Sequence, residues 1–396
     1  MNKFLPIVLG SDLNTYSIAR EIHEAYGINV VGASSMILSP CINSKIIDFH
    51  IKKNFSKDPD IFSEVLNEIY HKYKDSHEEF IIFAPDDVMR SFALGNIDKL
   101  DFNPVLPYAG KEVIASLATK KDFYEKIAKL GLAPNTIIAT PENYKNLDYP
   151  ADVFIKADND VVYKRLDFDG WQKGYHSTSV GETIKILENV FTNGYTDGMI
   201  VQEFIAGGDG TEYSIDGYRS ATTISMSACK NVMLDKRPDW VGNFVAKIDT
   251  DEEKILDYGR SIVEELGVYG LFNIDFKRDS DTGKIYAFEI NLRQGRCHYY
   301  ATQNGVNTSK IAIEDKIFGN QNEIIGDKPF AYYNLDFDET LSNMPENLKE
   351  EFTASERMKN IANPLIYERD NGIMRRTKIS KYLDKLSAET FIYKEI

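Results

Sequence analysis

Apolar and polar residues alternate in two neighbouring segments, GLFNIDF from residue 270 and KIYAFEIN from residue 284. The polar residues between them suit a turn, so the pattern predicts two β-strands joined as a hairpin. Side chains share a strand face at every second residue, and Glu289, Asn291 and Arg293 are therefore expected on one face. Asp275, on the first strand, is expected to face the same space.

The polar residues of this predicted hairpin indicate a metal site. Asp275, Glu289 and Asn291 offer the oxygen donors that Mg²⁺ prefers when it also takes water and substrate phosphates as ligands. Arg293 and Arg296 follow at once, and a planar guanidinium pairs well with a carboxylate or a phosphoryl oxygen. The alternative is that Asp275 and Glu289 are hairpin residues on a solvated face. The residues alone leave both interpretations open.

The N-terminal region shows a repeated strand–helix–strand pattern. FLPIVLG, NVVGAS and EEFIIFAP are apolar runs typical of strands, whereas TYSIAREIHEAYG and DIFSEVLNEIYHKY have helical spacing. This order predicts an α/β fold with a parallel sheet. Gly10 stands alone and the G-x-G-x-x-G pattern is absent, so no NAD site is predicted.

Polar residues follow two of these predicted strands. Because ligands bind at the carboxyl ends of parallel strands, these residues are candidates for contacting an amine-bearing substrate. Helix capping and turn formation are the alternative. The four residues are Ser11, Asp12, Asp86 and Asp87.

Length and composition narrow the classes of protein. A chain of 396 residues exceeds the size of one core, so two or three domains are expected. The net charge of −15 disfavours a nucleic-acid or anionic-membrane partner. Three cysteines without paired spacing indicate neither a disulfide framework nor a zinc site. No apolar run suits a signal peptide or a membrane span, so a cytoplasmic protein is expected.

The middle of the chain carries two notable lysines. Lys120 lies at the start of a predicted helix, and Lys156 ends the apolar strand ADVFIKADN. A lysine that terminates an apolar strand suggests a charged ligand, although Lys120 and its neighbour Lys121 suit an exposed surface equally well. Further on, GMIVQEFIAGGDGTEYSIDGY predicts two strands around a glycine-rich turn.

An acid, a short hairpin and then E-I-N-x-R resemble the magnesium end of the ATP-grasp ligases. The resemblance implies an ATP-grasp fold, preceded by a Rossmann-like domain, with ATP and Mg²⁺ as cofactors. It divides the chain into a pre-ATP-grasp domain of residues 1–112, an ATP-grasp domain of residues 113–318 with a lid at about 150–205, and a C-terminal extension of residues 319–396 that packs on the ligase.

The same resemblance assigns residues to the nucleotide. Two lysines hold the phosphates, IVQEFI is the hinge that reads adenine, and an acid beyond it holds the ribose hydroxyls. The lid departs from the superfamily because it contains only Gly170 and Gly174, so lid closure is assigned to a cation, Lys173. The implied nucleotide-binding residues are Lys120, Lys156, Glu203, Phe204, Ile205 and Glu212.

Within the superfamily, PIVLGSDLNTYSIAREIHEAYG, DFDGWQKGY, EINLRQGRCHYY and NPLIYERD resemble the D-aspartate ligases. These ligases act on a peptidoglycan precursor, which implies an amino-acid carboxylate and a lysine-containing amine acceptor as substrates. The resemblance implies an acylphosphate intermediate, with Arg293 at the acyl carboxylate and Arg296 at a second carboxylate. The alternatives are a ligase for another amino acid or dipeptide, a non-catalytic ATP-binding protein and a carboxylase that uses bicarbonate. The carboxylase lacks support because no biotinylation sequence occurs.

Overall fold

The structure, a computed structural model, describes residues 2–237, 240, 242–250 and 252–392. In this part of the chain the strands form three β-sheets of four, seven and four strands. No helix in these ranges is long and apolar enough to cross a membrane.

The N-terminal sheet is parallel, as the sequence pattern predicts. Its strands are β1 (Asn2–Leu9), β2 (Val30–Ser34), β3 (Ile47–Ile51) and β4 (His77–Phe83), in the order β3-β2-β1-β4. The helices of this region are α1 (Leu13–Tyr26), α2 (Pro59–Tyr73) and α3 (Asp87–Asn96). Helix α1 ends at Gly27, whose left-handed φ of 69° suits glycine. The apolar pattern predicts every strand here except β3.

Three strands of the predicted lid and one strand that precedes it in the chain form a small antiparallel sheet. Its strands are β5 (Thr136–Ala139), β6 (Val153–Ala157), β7 (Gly174–Ser177) and β8 (Met199–Glu203), in the order β5-β8-β6-β7. The helices nearby in the chain are α4 (Lys111–Ala115), α5 (Lys120–Ile127), α6 (Asp160–Tyr163) and α7 (Val180–Thr192). A Cβ at Gly174 would lie 2.4 Å from the Phe154 ring, so this glycine allows β7 to pack over an aromatic side chain.

The largest sheet has seven strands and carries the predicted hairpin. They are β9 (Glu212–Arg219), β10 (Ile224–Leu234), β11 (Phe244–Asp249), β12 (Gly270–Arg278), β13 (Ile285–Asn291), β14 (Ala331–Tyr333) and β15 (Ile361–Ala362). Their order is β13-β12-β9-β10-β11-β14-β15. The last two strands come from the predicted C-terminal extension, which therefore completes this sheet as well as packing on it.

The remaining α-helices lie between the strands of the large sheet along the chain or after its last strand. They are α8 (Lys254–Glu265), α9 (Tyr299–Gln303), α10 (Thr308–Ile313), α11 (Phe337–Ser342), α12 (Glu346–Phe352), α13 (Ser355–Met358) and α14 (Ile373–Phe391). Apolar residues of α1, α9, α10 and α14 share one core with β1 and β9. The N-terminal sheet and the large sheet are thereby joined through a common interior.

A buried ion pair ties α14 to the N-terminal region. Arg375 is 2% exposed, and its Nε lies 3.2 Å from Asp370 Oδ2. Asp370 also accepts hydrogen bonds from the Tyr16 hydroxyl at 2.9 Å and from the Ser44 hydroxyl at 2.7 Å. The Arg375 guanidinium lies 4.0 Å from the centre of the Tyr16 ring. Burial makes this pair sensitive to the loss of either charge.

We expect Arg375→Ala and Asp370→Ala each to lower the free energy of unfolding by about 3–5 kcal/mol, because each leaves an unpaired buried charge. The double variant should lose less than the sum of the single losses. Urea unfolding measures all three against Arg376→Ala, which removes an exposed arginine from the same helix. Equal, small losses for Arg375→Ala and Arg376→Ala would contradict this account.

Candidate active site

The predicted metal ligands meet on the hairpin of β12 and β13. Asp275 and Glu289 lie directly opposite each other in the antiparallel register. Asn291 lies opposite Asn273, and its Nδ2 donates a hydrogen bond to Asn273 Oδ1 at 2.9 Å. Because side chains alternate along a strand, Asp275, Glu289 and Asn291 share one face of the hairpin.

The environment of these acids suits a divalent cation. Burial, opposed by the nearby Lys247 ammonium and reinforced by the charge of Glu289, raises the pKa of Asp275 to about 6. A bound cation would remove the cost of two adjacent carboxylates. No cluster of three or more His, Cys, Asp or Glu side chains able to hold a metal occurs among the described residues. Two carboxylates and an amide fit Mg²⁺ that takes its other ligands from phosphates and water.

Lys247 is a buried cation that the sequence analysis missed. It lies on β11, is 2% exposed, and its Nζ lies 4.6 Å from the centre of the Tyr300 ring. Its charge acts on both Asp216 and Asp275. The signal was present in the sequence, since FVAKID places a lysine inside an apolar strand just as FIKAD does around Lys156.

Arg293 joins the hairpin to the N-terminal sheet. Its Nε and Nη2 lie 2.9 Å and 2.8 Å from Asp87 Oδ2, at the start of α3. Its Nη2 also donates to Asn291 Oδ1 at 3.1 Å. The Arg293 guanidinium therefore contacts both Asn291, a predicted metal ligand, and Asp87, which is predicted to face a substrate.

The segment after Arg293 is held by buried polar groups. Gln294 Nε2 donates to Glu21 Oε2 of α1 at 3.1 Å and to the Thr308 hydroxyl at 2.9 Å. The Gly295 N–H donates to Asp216 Oδ1 at 2.5 Å. These bonds fix the backbone on the carboxyl side of Arg293. No sequence pattern singles out Glu21, because an acid in a predicted amphipathic helix ordinarily faces solvent.

Arg296 contacts an aromatic side chain. Its guanidinium lies 4.0 Å from the centre of the Trp240 ring. Lys173 of the predicted lid reaches the same loop, since a Cβ at Gly242 would lie 3.8 Å from Lys173 Nζ. Arg296 and Lys173 are thus brought to one loop, whereas Arg293 lies at the junction with α3.

The polar residues after β1 and β4 serve partly as helix caps. Asp12 accepts from the Thr15 N–H at 3.0 Å and begins α1, and Asp86 accepts from the Met89 N–H at 2.7 Å and begins α3. Burial raises the pKa of Asp86. Ser11 Oγ donates to the Met36 carbonyl at 2.7 Å. The capping alternative therefore describes Asp12 and Asp86, while Asp87 contacts Arg293.

The two predicted phosphate lysines lie around Tyr124. Lys156 Nζ lies 2.8 Å from the Tyr124 hydroxyl, which donates to the Phe288 carbonyl at 2.7 Å. Burial raises the pKa of Tyr124, and the charge of Lys120 at the start of α5 opposes that rise. The charge of Glu289 also acts on Tyr124, so this tyrosine links the two lysines to the predicted metal site.

The predicted adenine hinge follows β8. The Glu203 carboxylate accepts from the Asn135 N–H at 3.0 Å and from Asn135 Nδ2 at 2.9 Å. The Phe204 N–H donates to the Asp152 carbonyl at 3.2 Å, and its ring stacks on His176 of β7 with centres 3.9 Å apart. Ile205 is buried. Glu203 is thus engaged by the protein itself, and Phe204 connects the hinge to the lid sheet.

Glu212, the predicted ribose acid, begins β9. Its Oε1 lies 3.8 Å from Lys277 Nζ, and Lys277 lies 5.9 Å from the centre of the Phe204 ring. Burial, opposed by Lys277, raises the pKa of Glu212 to about 7. Lys277 is a second cation that the sequence analysis did not single out. It links the predicted ribose residue to the predicted adenine hinge.

The raised pKa of Glu212 predicts a pH effect on stability. An unfolded glutamate titrates near 4.5, so between about pH 4.5 and about pH 7 the folded chain binds a proton that the unfolded chain has lost. Stability therefore falls as pH rises through this window. Glu212→Gln should reduce this pH-dependent loss of the free energy of unfolding by up to ~3 kcal/mol. The difference is followed through the melting temperatures of the two proteins from about pH 5 to about pH 8. Parallel curves would contradict the assignment.

Comparison with known proteins gives one relative by sequence and several by structure. No protein-family model matches the chain. The D-aspartate ligase of Enterococcus faecium (strain Aus0004) is 28% identical over 400 residues, which cover 96% of this chain and 94% of that protein.

Three solved structures give the fold. The biotin carboxylase domain of the Hydrogenobacter thermophilus 2-oxoglutarate carboxylase, in complex with MgADP, has a TM-score of 0.61 at 15% identity, covering 84% of this chain and 74% of its own. The N5-carboxyaminoimidazole synthetase of Staphylococcus aureus with ADP has a TM-score of 0.59 at 16% identity, covering 90% and 91%. The L-amino acid ligase of Bacillus licheniformis has a TM-score of 0.54 at 16% identity, covering 80% and 74%.

These likenesses confirm the predicted fold class, because all three structures belong to the ATP-grasp superfamily. The relative by sequence spans nearly the whole chain. The chain therefore has the ATP-grasp fold, and its similarity to D-aspartate ligase along nearly its whole length supports an ATP-dependent carboxylate–amine ligase.

Proposed function

We propose that this ligase attaches D-aspartate, through one of its carboxylates, to an amine of a lysine-containing peptidoglycan precursor. The observation that carries the proposal is the position of Arg293. It lies between the hairpin acids and Asp87 at the carboxyl end of β4, so one cation borders both the predicted metal site and the predicted amino-acid site. The likeness to D-aspartate ligase supports the choice of amino acid.

The nucleotide is assigned to the space between the lid sheet and the large sheet. Lys120 and Lys156 hold its phosphates, Glu212 its ribose, and the backbone around Phe204 and Ile205 its adenine. Because the Glu203 carboxylate is already bonded to Asn135, its role is to fix the hinge in shape. Asp275, Glu289 and Asn291 hold Mg²⁺, which neutralises phosphate charge when it is bound.

The reaction needs no side-chain nucleophile. The carboxylate of the amino acid attacks the γ-phosphate of ATP, which forms an acylphosphate and releases ADP. The acceptor amine then attacks the acyl carbon, and phosphate leaves as the amide forms. Arg293 orients the attacking carboxylate and stabilises the negative charge that develops on the transferring group.

Two further groups act on the intermediate. Lys247, fixed between aromatic rings and near Asp275, adds positive charge beside the transferring group. Lys173 connects the lid to the loop that contains Trp240, so closure of the lid would exclude water from the acylphosphate. Hydrolysis of the intermediate would waste ATP, and a closed lid prevents it.

Phosphate release from ATP and Mg²⁺ tests the proposal. The assay uses a panel of D- and L-amino acids, each with and without a lysine-containing muropeptide precursor, and mass spectrometry identifies the product. Release stimulated by D-aspartate, with a new amide on the precursor, is the expected result. Phosphate release stimulated by a different amino acid would show that D-aspartate is not the donor. No stimulation by any amino acid would favour a non-catalytic ATP-binding protein.

A further inference from the structure

Arg90 is a buried cation without hydrogen bonds to match its donors. It lies on α3, is 6% exposed, and neither its Nε nor its Nη1 has a hydrogen-bond partner among the described residues. Its Nη1 lies 3.1 Å from Asp87 Oδ1 as an ion pair outside hydrogen-bond geometry. Burying an arginine is costly unless its donors are satisfied, so this arrangement requires an explanation.

Asp87 lies between two guanidiniums. Its Oδ1 is the atom nearest to Arg90, while its Oδ2 accepts from Arg293 at 2.9 Å. The Asp87 side chain is 40% exposed, whereas those of Arg90 and Arg293 are 7% and 15% exposed. Two buried arginines thus lie against one carboxylate that is partly open to solvent. A dicarboxylate ligand could place one of its carboxylates on each of these guanidiniums.

Groups suited to an ammonium lie near the start of α3. The charges of Asp12, Asp87 and Arg293 all act on Asp86 at the start of α3. Asn14 donates to the Pro85 carbonyl at 2.7 Å, and its buried Oδ1 has no hydrogen-bond partner among the described residues. One acceptor without a partner among the described residues therefore lies beside Pro85, close to the start of the helix that carries Arg90.

We propose that Arg90 binds the second carboxylate of a dicarboxylic amino-acid donor and thereby sets the specificity of the ligase. Arg293 holds the carboxylate that is activated, and Arg90 holds the one that is not. Asp87 takes the ligand's position when the donor is absent and turns to the donor's ammonium when it is bound. This inference rests on the proposed ligase function, and it gives Arg90 the role that the resemblance assigned to Arg296, whose guanidinium stacks on Trp240.

The test compares a donor with its amide. Phosphate release is measured for D-aspartate and for whichever of its two monoamides, D-asparagine or D-isoasparagine, keeps the activated carboxylate, with the unmodified enzyme, Arg90→Met and Arg90→Lys. We expect Arg90→Met to lower kcat/KM for D-aspartate by about a hundredfold or more while kcat/KM for this monoamide changes little, since only the second carboxylate loses a partner. Arg90→Lys should recover only part of the loss, because an ammonium cannot present the two donors of a guanidinium. The KM for ATP should not change.

The controls separate this role from a structural one. Arg260→Ala removes a surface arginine paired with Glu323 and should leave both donors unaffected. Urea unfolding establishes that Arg90→Met is folded. Equal losses for D-aspartate and for the monoamide would overturn the inference, because they would make Arg90 a packing residue.

The test also distinguishes this inference from the proposed function. If another dicarboxylic amino acid is the donor, the proposed donor is wrong, and the same comparison with that donor's own amide decides the role of Arg90. If the unmodified enzyme uses only monocarboxylic donors, the Arg90 inference is wrong. If no donor is turned over, calorimetric binding of D-aspartate in the presence of MgADP decides, and binding that is equal in the unmodified enzyme and in Arg90→Met overturns the inference.

Discussion

Arg293→Ala is expected to lower kcat by roughly 10²- to 10³-fold while ATP still binds with nearly unchanged affinity. The guanidinium contacts Asp87 and Asn291, whereas Lys156, a predicted phosphate lysine, contacts Tyr124. Its removal therefore takes away charge stabilisation at the transferring group and leaves the nucleotide contacts in place. Steady-state phosphate release measures kcat, and calorimetry measures nucleotide binding.

Arg293→Lys sharpens this prediction. A lysine keeps the charge but presents a single nitrogen, so it cannot contact Asp87 and Asn291 together as the guanidinium does. The kcat of Arg293→Lys should be much closer to that of Arg293→Ala than to that of the unmodified enzyme. Arg260→Ala serves as the control for the loss of an arginine. If Arg293→Ala abolished ATP binding instead, Arg293 would belong to the nucleotide site and its assignment to the acyl carboxylate would be wrong.

Glu289→Gln is expected to lower turnover by at least about a hundredfold and to raise the Mg²⁺ concentration needed for half-maximal activity. The substitution keeps the shape of the side chain opposite Asp275 and removes one of the two charges that attract the cation. Excess Mg²⁺ should restore part of the activity, because the remaining ligands still form a weaker site. A Mg²⁺ titration of phosphate release at saturating ATP measures both effects.

Glu264→Gln is the matched control for this experiment, since Glu264 lies exposed on α8. It should reproduce the Mg²⁺ titration of the unmodified enzyme. An unchanged Mg²⁺ requirement in Glu289→Gln would remove this residue from the metal site. The hairpin would then be the solvated pair of strands that the residues alone left open.

The hairpin illustrates how much a sequence can predict about a site. Asp275, Glu289 and Asn291 share a face because they lie on two paired strands, and the alternation that places them there is visible in the sequence. The position of Lys156 near the end of an apolar strand can likewise be predicted from its neighbours in the sequence. The helix caps Asp12 and Asp86 could be predicted only as alternatives, because capping and ligand binding favour the same residue types at the same positions.

Other contacts depend on elements that are distant in the chain. Arg293 and Asp87 are separated by 206 positions, and no local pattern relates them. Two donor atoms of Arg90 are buried without a hydrogen-bond partner among the described residues, and no local pattern predicts this burial. Strand β15 is two residues long and is defined by its pairing with β14. Sequence periodicity cannot identify a strand of that length.

The sequence by itself determined the local structure, the ATP-grasp resemblance and the residue types available for metal and phosphate, because alternation, capping and motif spacing act within a few positions. Tertiary structure alone decided which cations meet which acids. It brought Arg293 to Asp87, buried Lys247 between aromatic rings and turned Arg296 toward Trp240. The physical reason is that burial and pairing of charges depend on how whole sheets and helices pack against one another, which no short stretch of the chain specifies.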